Sequence, residues 1–314
     1  MGRETDGIRV AVLMGGPDAE REVSLASGEQ VALALEQDAG FEVIRRTVDR
    51  PGAAELLELG ADAIFPVLHG PFGEGGPLQE ILESTGLPYV GCRPRAAALA
   101  MDKLATKMLA DGVGVPTPPS RELRPGEPLD LEPPLVLKPA NEGSSVGLRI
   151  CHDRAAAEAA RRELEPVTPR LMAERYVRGR EVTVGVVNGE TLPIIEIRPA
   201  VEFYDYEAKY TREDTAYLLD PELPPGVADA LRRHTLAVWN RLGCRHLARA
   251  DFLVDSTAPH VPWFLEINTM PGMTTHSLVP KAARHAGIGM TALCGGLVHR
   301  AIADAARLAG AARR

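Results

Sequence analysis

Several scarcities narrow the field before any motif is read. Aromatic residues make up 4% of the 314 positions, too few for a surface that stacks nucleic-acid bases. Positive charge is in deficit: 35 Lys and Arg stand against 43 Asp and Glu, a formal net charge of −8. Such a chain lacks the basic footprint of a non-specific nucleic-acid binder. No apolar run reaches the length of a membrane-spanning helix, so no membrane span is expected. The four cysteines, Cys92, Cys151, Cys244 and Cys294, are far apart and form no CxxC pair. Reduced thiols in a cytoplasmic protein fit that spacing. The polar start from Met1 to Gly7 does not read as a secretory signal. Asp6 stands where N-myristoylation would need Ser or Thr. The GKS or GKT order of a Walker A loop is also missing.

What is present is ordinary in bulk: 45% hydrophobic and 25% charged residues suit a globular chain. Its length exceeds one core, so two or three domains are expected. Ile8 to Met14 (IRVAVLM) is a continuous apolar run typical of a buried parallel strand. Helical spacing over Ser24 to Leu35 follows, then strands at Phe41 to Thr47 and Ala61 to Leu68. The alternation predicts an α/β domain with a parallel sheet and ligands at the strand C-termini. From Ala96 to Ala110 the chain reads as one Ala-rich helix. Strands at Leu135 to Lys138 and Leu171 to Val177 flank a helix at Ala155 to Leu164, a small α+β unit. Period-2 patterning at Glu181 to Val187 opens a third segment, with long helices at 226–242 and 290–308.

Two stretches carry chemistry. In Trp263 to Asn268, Glu266 and Asn268 are two residues apart on one strand, so their oxygens share a face. Arg249 and Asp251 repeat the spacing on a second strand. Together they suggest a Mg²⁺-nucleotide site with a guanidinium beside it. Taken alone, the pattern also fits a hairpin with a polar solvent face. Lys138 closes a strand and precedes Pro139–Gly147, a Gly/Ser loop whose successive backbone N–H groups can cradle an anion. A polar hairpin tip has the same composition.

Nine segments, in order along nearly the whole chain, resemble the D-alanine–D-alanine ligases of the ATP-grasp superfamily. They are GGPDAEREVSLASG from Gly15, PVLHGPFGEGG from Pro66, GLPYVGC from Gly86, ALAMDK from Ala98, KPANEGSSVG from Lys138, ERYVRGREVTV from Glu174, EFYDYEAKY from Glu202, RADF from Arg249 and LEINTMPGMTTHSLVPKAA from Leu265. The resemblance implies three parts: an N-terminal substrate-binding and dimerisation domain at 1–100, a small ATP-grasp subdomain at 101–179 and a C-terminal subdomain at 180–314. It implies a homodimer that uses ATP to join two D-alanines through an acyl phosphate, for peptidoglycan precursors. A D-Ser acceptor, or another pathway-specific ATP-grasp ligation, is the alternative.

The resemblance also implies roles. Glu20 would hold the first ammonium, with Ser144 and Tyr210 bonded around it and His69 nearby. Asp251, Glu266 and Asn268 would hold two Mg²⁺ (or Mn²⁺) ions. Lys103, Lys138 and Lys209 would contact phosphates, and Ser145 would bind ATP. Glu174, Tyr176 and Val177 would meet the adenine and Glu181 the ribose. Arg249 and the Gly272 N–H would form the oxyanion hole, and Ser277 with Leu278 would grip the acceptor carboxylate. Residues 204–210 would close as a lid that keeps water from the acyl phosphate. Where the family commonly has GEDG, this chain has Glu74-Gly75-Gly76, which is expected to loosen that loop.

Overall fold

The computed structural model describes residues 7–143, 147–198 and 215–312. Strand and helix alternate at the start: β1 (Ile8–Gly15), α1 (Arg21–Glu36), β2 (Phe41–Val48), α2 (Ala53–Glu58), β3 (Ala63–Pro66). The three strands form a parallel sheet ordered β2-β1-β3. The apolar run of β1 is explained by its central place. Val10 and Val12 face Val31 and Leu35 of α1, whereas Ala11 and Leu13 face Leu56 of α2. Both faces are therefore dry, as the parallel pairing requires.

Short helices α3 (Gly70–Glu74), α4 (Pro77–Thr85), α5 (Pro94–Met101) and α6 (Lys103–Asp111) follow. The single helix expected over Ala96 to Ala110 is two. Asp102 adopts φ −83°, ψ 99°, and its Oδ1 accepts the Ala105 N–H at 3.0 Å, so it ends α5 and caps α6. An N-cap aspartate is stabilising by about 1 kcal/mol. Its Oδ2 pairs with Arg170 at 2.6 Å. The break turns α6 so that Lys103 and Lys107, one turn apart, both point inward.

β4 (Ser120–Leu123), β5 (Leu135–Pro139), β6 (Arg149–Cys151), α7 (Arg154–Leu164) and β7 (Leu171–Arg175) build the second layer. Its sheet is antiparallel, ordered β4-β7-β5-β6. Leu135 and Leu137 pack against Ala157, Ala160 and Leu164 of α7.

The third sheet is ordered β10-β9-β8-β11-β12. Its members are β8 (Gly179–Val187), β9 (Glu190–Arg198), β10 (Ala216–Leu219), β11 (Leu247–Asp255) and β12 (Pro262–Asn268), with α8 (Val227–Leu242) before β11. Val182, Val184, Val186, Ala250, Phe252 and Phe264 face Leu231, Val238 and Trp239 of α8. Period-2 geometry then sends Thr183, Arg249 and Asp251 to the opposite face, and the register shift that leaves one extra residue on β12 after Phe264 brings Glu266 and Asn268 to that face as well.

The chain ends in α9 (Leu278–His285) and α10 (Met290–Ala312). Leu293, Leu297 and Val298 of α10 join Val10, Val12 and Val31, so the C-terminal helix covers the N-terminal sheet. Among the described residues no single helix is long and apolar enough to cross a membrane. α9 and α10 together reach that length and composition, but they meet at 105° and Val279, Leu293, Leu297 and Val298 are buried in this core.

Candidate active site

The antiparallel register of β11 and β12 sets Arg249 opposite Asn268 and Asp251 opposite Glu266. A register shift after Asp251 then ends the regular pairing beside these residues. Arg249 grips Asp251 with two parallel hydrogen bonds, Nε to Oδ1 at 2.9 Å and Nη2 to Oδ2 at 2.8 Å. Thr183 donates to the same Oδ1 at 2.6 Å. Lys103 Nζ lies 3.1 Å from Glu266 Oε2 and donates to the Glu142 carbonyl at 2.5 Å. Asn268 Oδ1 accepts the Met270 N–H at 3.0 Å.

Among the described residues no three His, Cys, Asp or Glu side chains converge as a metal cage. The donors on this face are two carboxylates and an amide, all oxygen. Mg²⁺ takes one or two protein carboxylates and fills its shell with water and phosphate oxygens, so the set fits that ion. Lys103 and Arg249, drawn onto those carboxylates, show how strongly the face attracts positive charge.

Beyond Lys103 lies a buried cluster. Lys138 Nζ, at the end of β5, is 2.8 Å from Glu174 Oε1 on β7. Lys107 Nζ is 2.6 Å from Glu174 Oε2 and donates to the Phe264 carbonyl at 3.2 Å. The Lys107–Oε2 contact is a close ion pair between two buried side chains. Burial pushes the Glu174 carboxyl up, but the Lys107 and Lys138 ammoniums outweigh it and hold it below the usual carboxylate range. Burial drags Lys107 down to about 8 despite that partner. The Tyr176 N–H is bonded to the Pro134 carbonyl at 3.1 Å. Val177 is buried beside it, and Glu181 sits on β8 opposite Leu253 and Ile197.

A third group gathers at the mouth of the N-terminal sheet. Glu20 is the N-cap residue of α1, yet its side chain makes no cap bond. Its carboxylate instead abuts Gly143, where an added Cβ would lie 3.3 Å from Oε2. His69 follows β3; its Nδ1 is 3.0 Å from the Met270 carbonyl and its Nε2 is buried with no hydrogen-bond partner among the described residues. Burial lowers the His69 pKa against the pull of Glu20, so the ring is neutral near pH 7. Glu74 is buried beside them and accepts the Gly70 N–H at 3.2 Å. Burial, reinforced by the Glu20 charge, pushes its carboxyl up to about 8. The expected loosening at Gly75 is reversed: a Cβ there would collide with the Pro71 carbonyl oxygen. Glycine lets that turn close tightly.

The loop after β12 completes the wall. A Cβ on Gly272 would meet Ser277 Oγ at 2.8 Å, so glycine permits that approach. Ser277 Oγ accepts the Thr274 N–H at 3.1 Å, and Ser277 is the N-cap residue of α9, with Leu278 its first helical residue. The Met273 N–H is tied to Ser27 Oγ of α1 at 3.1 Å, which fixes the loop against the N-terminal layer.

Of the residues singled out from sequence, Glu20, His69, Arg249, Asp251, Glu266, Asn268, Gly272 and Ser277 thus line adjoining surfaces, with Lys103, Lys138 and Glu174 one step away. Ser144, Ser145, Lys209 and Tyr210 lie outside the described residues, as does the loop at 204–210. Sequence reasoning passed over Lys107, Glu74, Thr183 and Ser27. Lys107 left one legible trace, a second lysine one turn after Lys103 in an Ala/Leu helix.

Comparison with known proteins gives a consistent result. The family model described as D-ala D-ala ligase C-terminus matches residues 126–299, and the one described as D-ala D-ala ligase N-terminus matches 45–92. A D-alanine–D-alanine ligase B of Chromobacterium violaceum is 44% identical over 291 residues, covering 91% of this chain and 95% of that protein. The crystal structure of a D-alanine–D-alanine ligase from Bacillus anthracis complexed with ATP aligns with a TM-score of 0.83 and 30% identity, over 96% of this chain and 99% of that one. The VanG D-Ala:D-Ser ligase of Enterococcus faecalis, 24% identical, shares the fold with a TM-score of 0.80 over 94% of this chain and 99% of that one.

Proposed function

The chain belongs to the D-alanine–D-alanine ligase family, and on that premise we propose that it joins two D-alanines into D-alanyl-D-alanine, the unit required for peptidoglycan precursors, with cleavage of ATP to ADP and phosphate. The observation that carries the reading is the β11–β12 register, which delivers Arg249, Asp251, Glu266 and Asn268 to one face. Lys103 against Glu266 and the Gly272–Ser277 loop adjoin that face.

In this reading Glu20 holds the ammonium of the first D-alanine as a charge-assisted pair. The γ-phosphoryl group moves from the ATP bridging oxygen to the carboxylate of that D-alanine, and ADP is released. Lys103, Lys138 and, on the resemblance alone, Lys209 hold phosphate oxygens, and Ser145 binds ATP on the same ground. Asp251, Glu266 and Asn268 would hold two Mg²⁺ (or Mn²⁺) ions, which supply neutralisation of charge on the transferring phosphoryl group. The amine of the second D-alanine attacks the acyl carbon and loses a proton. The C–O bond to phosphate then breaks. Arg249 and the Gly272 N–H donate to the oxygen that becomes negative, and such donors are typically worth about 10²–10³ in rate. Neutral His69 fits a site that admits one ammonium and adds no second cation. Ser144 and Tyr210 complete the contacts around Glu20, again on the resemblance alone. Ser277 and Leu278, at the N-terminus of α9, receive the acceptor carboxylate, where the helix dipole favours an anion.

We further propose the division into 1–100, 101–179 and 180–314, which the three separate sheets support, and a cytoplasmic homodimer built through the first part. The test is phosphate release by the purified protein with ATP, Mg²⁺ and D-Ala, L-Ala, D-Ser or D-lactate in turn. D-Ala should give the largest stimulation, and EDTA should abolish it. No stimulation by D-Ala above the L-Ala background would refute the reading; a larger response to D-Ser would reassign the acceptor.

A further inference from the structure

Lys107 is 3% exposed, among the most buried charges in the chain. Its ammonium reaches two places at once: Glu174 on β7, at 2.6 Å, and the Phe264 carbonyl on β12, at 3.2 Å. Phe264 is two residues before Glu266. One side chain from α6 therefore joins the strand expected to meet the base to the strand that carries the candidate metal ligands.

Glu174 faces two ammoniums, Lys107 and Lys138. These have different alternatives. Lys138 is the second-last residue of β5, next to the 140–143 loop, where phosphate oxygens can replace the carboxylate as its partner. Lys107 is enclosed, and an enclosed ammonium without a counter-charge is costly. When Lys138 turns to phosphate, Lys107 stays with Glu174. The carboxylate then remains an acceptor-only group. Its Oε1, released by Lys138, then has lone pairs for a donor, while Oε2 stays against Lys107.

We propose that Lys107 is a positioning residue for base selection: it holds the Glu174 carboxylate as the acceptor for the 6-amino group of adenine and leaves Lys138 to the phosphates. This rests on the nucleotide half of the reading above. A 6-oxo purine nucleotide would place an acceptor against that carboxylate and leave both unpaired, the situation in which polar sites discriminate most strongly. Without Lys107, Glu174 either captures Lys138 outright or takes a proton. A protonated carboxyl donates as well as accepts, so the 6-oxo group would no longer be rejected.

The experiment is calorimetric binding of Mg·ATP and Mg·ITP, without D-alanine, to wild type, Lys107→Met, Glu174→Gln and the double variant. Lys107→Met should lower the ATP-over-ITP preference by about tenfold or more, in the range expected for loss of a buried polar match, with Glu174→Gln lowering it comparably. The double variant should match Glu174→Gln within about twofold, since the two residues act as one unit. A Lys107→Met protein that keeps the wild-type preference would overturn the proposal, and so would losses that add in the double variant. If Lys107→Met alone does not fold, the charge-balanced double variant decides against Glu174→Gln: equality supports the proposal, a further tenfold loss refutes it. Failure of the ligation reading would show separately, as wild type without D-alanine-dependent phosphate release.

Discussion

At the scale of single residues, the buried charges set the chemistry. Glu74 carries its proton to about pH 8, first because it is buried and second because Glu20 is charged nearby, with His69 beside it and Arg249 as the opposing cation. In the unfolded chain its carboxyl returns to the usual 4.5. Between those values the folded protein holds a proton that the unfolded one has released. The stabilising contribution is complete below the unfolded pKa and is lost as pH rises toward the folded one. Glu74→Gln removes the titration and keeps the shape. Its melting temperature should gain on wild type between about pH 5 and pH 9, in keeping with that linkage; parallel curves would show that Glu74 does not titrate there. Glu74 was not legible in the sequence, and Lys107 showed only as a second lysine one turn after Lys103. Acidic and basic side chains are rarely enclosed unless paired; Lys107 is enclosed through Glu174, far away in the chain, and Glu74 through burial that keeps its proton on. Glu266 and Asn268 were legible because their two-residue spacing is local and survives any fold that makes the segment a strand.

At the scale of elements, helix-on-sheet contact depends on small residues. Gly28 lies in the middle of α1, and a Cβ there would come within 2.5 Å of the Met14 Cβ on β1. Two effects compete in Gly28→Ala. Helix propensity favours alanine by about 1 kcal/mol. Overpacking against a fully enclosed strand costs about 1–3 kcal/mol. Packing should win, because a Cβ cannot rotate out of the way. Urea unfolding is expected to give a net loss, and an unchanged or raised midpoint would mean that α1 slides freely over β1. β1 followed from its sequence pattern almost to the residue, while α1 begins three residues and β11 two residues before their expected starts. The Ala96–Ala110 stretch did not follow its pattern, because Asp102 in an Ala-rich segment reads as a helical residue. Only its side-chain bond to Ala105 reveals it as a cap. The reading of Gly75 failed likewise: an absent side chain suggests slack, but the close Pro71 carbonyl makes the absence a condition of tightness.

At the scale of the whole molecule, no one sheet holds the site. The N-terminal layer supplies Glu20 and His69, the second sheet Lys138 and Glu174, and the third Arg249, Asp251, Glu266 and Asn268. Ties across the layers keep them in register: His69 to the Met270 carbonyl, Ser27 to the Met273 N–H, Lys107 to the Phe264 carbonyl. The return of α10 onto the first sheet closes the same arrangement, and nothing local in residues 290–312 announces it. The central claim is that this convergence serves to activate a D-alanine carboxylate with ATP. The most direct measurement uses D-alanine labelled with ¹⁸O in its carboxylate and follows the label by mass spectrometry. The account predicts one ¹⁸O transferred to the released phosphate for each D-alanyl-D-alanine formed. Dipeptide accompanied by unlabelled phosphate would contradict it.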